Sequence, residues 1–193
     1  MLQSDDDQYV QVGDVAYYDL HDSYEYGLTN YDVGILHLKT SFQENDNFIR
    51  PICLKRISQN LEDSNAVAVI GWGAGLLDER DQVGQELKIA TLEVFSDDYC
   101  EAVVSRDNRT GVFGEDLFCA GDSTGSFQGS CNGDSGGPVF SLTPKQSRYE
   151  LIGLINSGEN CGLRQAAMER YSNFCQAQSN FPAPAGLSGL NLN

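Results

Sequence analysis

An all-β fold is predicted for this chain of 193 residues on three observations: short β-leaning runs recur along it, turn-forming clusters separate them, and the apolar content suffices for a core. Hydrophobic residues make up 40% and aromatics 10% of the chain, at a length that fits one ordinary domain. The runs are Tyr9 to Tyr18, Val33 to Leu38, Ala66 to Trp72, Leu87 to Val94, Leu117 to Ala120, Gly137 to Phe140 and Tyr149 to Ile155. Gly, Asn, Asp and Ser clusters lie between them, the pattern of a β-barrel or sandwich. A brief helix is expected over Asp97 to Val104. A second is expected over Arg164 to Gln178, which is rich in Ala, Gln, Glu and Met. Residues 1–180 read as one domain. Residues 181–193 carry two prolines and two glycines among small polar residues and read as a frayed tail.

Twelve basic against twenty-eight acidic side chains leave a net charge of -16, which repels a phosphate backbone, so nucleic-acid partners are excluded. The acidity serves solubility or steers basic protein partners, and no local feature separates the two. No run of about 18 apolar residues occurs, so no membrane span is expected, and the N-terminal residues do not read as a secretion signal. Six cysteines, none in a CxxC pair, and only two histidines fit disulfides rather than zinc. No metal or cofactor is expected. Disulfides imply an oxidising compartment, hence a secreted parent whose signal precedes Met1. Asn108-Arg109-Thr110 is an N-glycosylation sequon.

The most informative stretch is Gly129-Ser130-Cys131-Asn132-Gly133-Asp134-Ser135-Gly136-Gly137-Pro138-Val139. A serine flanked by glycines sits on a tight turn that a substrate backbone can approach, where the amides of Gly133 and Ser135 can converge on one point. A bare Gly-Asp-Ser-Gly reads equally well as a plain turn between strands. The full string decides, because Gly-Asp-Ser-Gly-Gly-Pro with a cysteine four residues before the serine resembles the nucleophile motif of chymotrypsin/trypsin-like serine peptidases. Other segments resemble that family in the same order: His21-Asp22-Ser23-Tyr24, Tyr31-Asp32-Val33-Gly34-Ile35-Leu36, Pro51-Ile52-Cys53-Leu54, Gly71-Trp72-Gly73, Phe118-Cys119-Ala120-Gly121 and Gly153-Leu154-Ile155. The resemblance runs from about residue 9 to residue 161.

The resemblance implies a double six-stranded antiparallel β-barrel, with the first barrel incomplete at its N-terminus. It implies Ser135 as nucleophile, Asp32 as the carboxylate that orients a histidine, and Gly133 and Ser135 as oxyanion-hole amides. Asp134 is implied to pair with a new N-terminal ammonium after zymogen cleavage. Cys100 is implied to pair with Cys119 and Cys131 with Cys161. Cys53 matches a cysteine that commonly links to an upstream pro-segment, and Cys175 has no counterpart. Gly129, six residues before Ser135, stands at the floor of the primary specificity pocket, where members that cut after Arg or Lys carry aspartate. A pocket without that carboxylate disfavours basic residues. Asn156 and Gly158 stand where the family binds substrate backbone, but Asn156-Ser157-Gly158 replaces its usual Ser-Trp-Gly.

Serine attacks at neutral pH only with a base to take its proton. In the chain order His, Asp, Ser the histidine precedes the aspartate by roughly 45 residues, and neither His21 nor His37 stands there. His21 belongs to a structural segment and His37 to the strand after Asp32. The family's Ala-Ala-His-Cys segment and its Ile-Val-Gly-Gly start do not occur in these residues. The expectation is therefore a serine endopeptidase by resemblance, acting on protein or peptide substrates, and inactive in the form given. The alternative is a non-catalytic homologue that binds partners.

Overall fold

A computed structural model describes residues 10–44, 48–54, 66–75, 84, 86–106, 116–125, 128–143, 148–158 and 166–169. Ten elements follow in order: β1 (Val15–Leu20), β2 (Gly34–Leu38), β3 (Cys53–Leu54), β4 (Ala66–Gly71), β5 (Lys88–Val94), α1 (Asp97–Arg106), β6 (Leu117–Gly121), β7 (Pro138–Thr143), β8 (Arg148–Gly158) and β9 (Ala166–Glu169). The all-β, chymotrypsin-like expectation holds. Strands β1 and β2 form a two-stranded antiparallel sheet by themselves among the described residues.

The larger sheet runs β3-β8-β7-β4-β5-β6-β9, and β9 pairs back onto β8, so strands β4 to β9 close into an antiparallel barrel. Closure removes the open edges that would otherwise template pairing with another chain. Its interior follows from strand alternation: Val67 and Val69 of β4 point inward, as do Leu92, Phe118, Ala120, Val139, Ile152 and Ile155 from neighbouring strands. Every residue of β6 is buried. Phe118 at its centre is fully enclosed.

The strand β9 corrects the helix expected over Arg164 to Gln178. Ala166–Glu169 is a strand that pairs with Leu117–Ala120 on one side and Leu154–Gly158 on the other. Two waiting sheet edges outweigh the modest helix propensity of Ala, Met and Glu. Residues 170–178 and the tail 181–193 lie outside the described residues. The helix expected after β5 is present as α1, with Asp97 and Asp98 in the first turn, where acidic groups complement the helix N-terminus. Ser96 caps it, its Oγ accepting from the Tyr99 amide at 3.4 Å. A disulfide joins Cys100 of α1 to Cys119 of β6, with Cα atoms 6.0 Å apart. The two-residue strand β3, not foreseen, runs parallel to β8 and sets Cys53 beside Glu150.

Candidate active site

The Ser135 turn is built between β6 and β7 by backbone hydrogen bonds that close on one another. The Asp134 amide donates to the Cys131 carbonyl at 3.0 Å and the Gly137 amide to the Asp134 carbonyl at 2.8 Å. Gly133 and Gly136 hold φ of 96° and 79°, left-handed values that a side chain resists, and this is the physical reason for glycine on each side of Asp134-Ser135. Ser135 itself is exposed. Among the described residues, the amides of Gly133 and Ser135 donate to no protein acceptor, while those of Asp134, Gly136 and Gly137 do.

Asp134 points away from the serine. Its carboxylate accepts from the Gly73 amide at 2.7 Å and the Cys131 amide at 3.0 Å, two charge-assisted bonds that fix the turn from behind. A Cβ added at Gly71 or Gly73 would overlap that carboxylate, so the Gly71-Trp72-Gly73 pattern is a requirement of close approach. A cleft of about 190 Å³ lies here, lined by Gly73, Lys88, Gly129, Cys131, Asp134 and Ile155 among others. Gly129 and Asp134 thus border one space. Cys131 is disulfide-bonded, to a partner outside the described residues. Cys53 is a half-exposed free thiol.

The turn is also tied to β8, since the Gly136 amide donates to the Ile155 carbonyl at 2.8 Å and the Ile155 amide to the Gly137 carbonyl at 2.9 Å. The next residue, Asn156, turns its side chain elsewhere and donates to the Thr29 carbonyl at 2.6 Å. Thr29 opens the loop that carries Asp32. That loop contains Tyr31 at φ 55°, a left-handed conformation rare for a bulky residue. Sequence reasoning passed over Asp116, which is 2% exposed and accepts from the Tyr31 amide at 2.8 Å and from Asn30 Nδ2 at 3.1 Å. A single aspartate before a strand carries no pattern to find it by. Asp32 lies at the surface, yet the desolvation its carboxyl does suffer pushes its pKa above the usual aspartate value.

Both histidines are committed to other partners. His21 is buried against the Tyr31 ring at 4.7 Å between centroids, and its Nδ1 accepts from the Ser23 amide at 3.1 Å. His37 Nε2 meets Asp19 Oδ2 at 2.8 Å, and its ring stacks on Tyr17 at 4.1 Å. Neither arrangement places an imidazole between Asp32 and Ser135.

The sequence profile described as Trypsin matches residues 2–178. Transmembrane protease serine 11A of Homo sapiens is 31% identical over 147 residues, covering 74% of this chain and 32% of that protein. Limulus clotting factor C of Carcinoscorpius rotundicauda is 29% identical over 168 residues, 84% of this chain and 16% of that protein. Mannan-binding lectin serine protease 1 of Mus musculus is 29% identical over 143 residues, 74% of this chain and 19% of that protein. The chain spans a third or less of the length of these relatives.

Proposed function

Because this chain belongs to the trypsin family of serine proteases, we propose that its chemistry is hydrolysis of peptide bonds in protein or peptide substrates through an acyl-enzyme on Ser135. The observation that carries the reading is the Ser135 turn: an exposed hydroxyl beside two amides that donate to no acceptor among the described residues, braced by Asp134. Attack by Ser135 Oγ on a peptide carbonyl moves charge onto the carbonyl oxygen, and amide donors on Gly133 and Ser135 suit that charge. Asp32 is assigned the role of holding a histidine in its productive tautomer. Gly129, which offers no carboxylate to a cationic side chain, suits uncharged side chains over Arg or Lys, and Gly158 at the end of β8 suits pairing with substrate backbone. The free Cys53 thiol suits a disulfide to a pro-segment, and the disulfides suit an extracellular setting.

Neither histidine of the 193 residues given is poised to activate Ser135, and no turnover is expected of them. Loss of a triad histidine lowers kcat on the order of 10⁶-fold. The same commitment of both histidines favours a second reading, a non-catalytic homologue that binds partners. Sequencing the full-length transcript across its 5′ end separates the two. An in-frame Ala-Ala-His-Cys segment upstream of Met1 supports the peptidase; another residue in place of that histidine excludes proteolysis and leaves the binding role.

A further inference from the structure

Two attachments hold the Asp32 loop to the barrel, one through Asp116, to which the peptidase reading gives no task, and one through the side chain of Asn156. A buried carboxylate is costly unless hydrogen bonds replace its water. Asp116, just before β6, recovers them from the Asp32 loop: the Tyr31 amide at 2.8 Å and Asn30 Nδ2 at 3.1 and 3.3 Å. Tyr31 at φ 55° is strained for a residue with a side chain, and such a conformation persists only where surroundings over-determine it. Here Asp116 holds its amide, His21 stacks on its ring, and the Val33 amide donates to its carbonyl at 2.8 Å. On the other side, Asn156 of β8 donates to the Thr29 carbonyl at 2.6 Å. Ile155, its neighbour, exchanges two hydrogen bonds with Gly136 and Gly137 of the Ser135 turn. One step along β8 therefore separates the support of the nucleophile turn from the support of the aspartate loop.

We propose that Asp116 and Asn156 are positioning residues that clamp the loop of residues 29–33 to the barrel and so set where Asp32 stands relative to Ser135. The proposal rests on the peptidase reading only in naming Asp32 as the triad carboxylate. Asn156 acts through its side chain on the loop, not on substrate. The clamp explains why an amide stands at this β8 position: Nδ2 spans to a carbonyl of the loop, and Asp116 supplies the charge-assisted bond opposite.

The test reads loop geometry and not turnover, so a failed peptidase reading leaves it unaffected. In the isotopically labelled 193-residue chain, amide hydrogen exchange is followed at Tyr31, Val33 and Phe118, and the Asp32 carboxyl is titrated by carbon NMR. Asp116→Ala and Asn156→Ala should each speed exchange at Tyr31 and Val33 on the order of tenfold or more, since a charge-assisted or buried bond is lost. Both should also move the Asp32 titration down toward the ordinary aspartate range, with Phe118 protection unchanged. Asp116→Asn combined with Asn30→Asp reverses donor and acceptor and should return exchange to within about threefold of the parent. Should Asp116→Ala fail to fold, Asn156→Ala and the reversed pair still decide. Unchanged exchange and titration in Asn156→Ala, or a reversed pair no better protected than Asp116→Asn alone, overturns the proposal.

Discussion

The closed barrel and the β1–β2 sheet are built from similar residues and differ in what their side chains meet. In the barrel, inward positions alternate with outward ones, strands pair on both sides, and Phe118, Val139 and Ile152 are fully enclosed. In the β1–β2 sheet, Tyr17, Tyr18, Leu20 and Leu36 are all more than half exposed. Its strands are joined by the backbone ladder, the His37–Asp19 contact, the Tyr17–His37 ring stack and an exposed Lys39–Asp14 pair at 3.4 Å. Exposed pairs of this kind contribute about 0–1 kcal/mol, and an isolated two-stranded sheet is marginal in water. The same alternating pattern therefore yields a core only where a second layer covers it. The Asp32 loop belongs to the weaker region and borrows its order from the stronger one through Asp116 and Asn156.

The contrast breaks most sharply under core deletion. Phe118→Ala should cost about 3–5 kcal/mol, whereas Leu36→Ala, at a side chain 66% exposed, should stay within about 0.5 kcal/mol. Denaturant unfolding of the two variants side by side checks this. Replacing both Cys100 and Cys119 by Ala should cost about 3 kcal/mol, because the bond closes a loop over a separation of 19 residues and pins α1 to β6. Gly73→Ala should cost about 1–3 kcal/mol, since the added Cβ drives the Asp134 carboxylate off its amides. Amide exchange should then loosen at residues 131–137 and stay unchanged in β1 and β2. The smallest effect is electrostatic. Burial raises the Asp32 pKa in the folded chain, so folding favours the protonated form, and that ionised carboxylate weighs against the fold once pH rises through the raised value. Asp32→Asn should therefore raise the melting midpoint slightly at pH 7 and leave it unchanged below the ordinary aspartate pKa.

Much of this architecture was legible beforehand, for identifiable reasons. The Ser135 turn announces itself because its glycines answer to backbone requirements: left-handed φ at Gly133 and Gly136, close approach at Gly71 and Gly73. The strands β4, β5, β6 and β7 stand out because β-branched and aromatic residues meet turn clusters. β9 did not, because Ala-Ala-Met-Glu takes its conformation from the edges of β6 and β8 and not from its own propensity. β3 is two residues long and leaves no period to detect. Asp116 stayed hidden, as did the loop contact of Asn156, because their partners are 85 and 127 residues distant in the chain.

The proposed reading leaves these 193 residues with a shaped nucleophile turn but no base to activate its serine. Incubating the purified chain with a fluorophosphonate probe, beside a Ser135→Ala control, and mapping adducts by mass spectrometry tests that claim directly. No labelling above the control is expected. A Ser135 adduct forming at the rate of an active serine protease would contradict it.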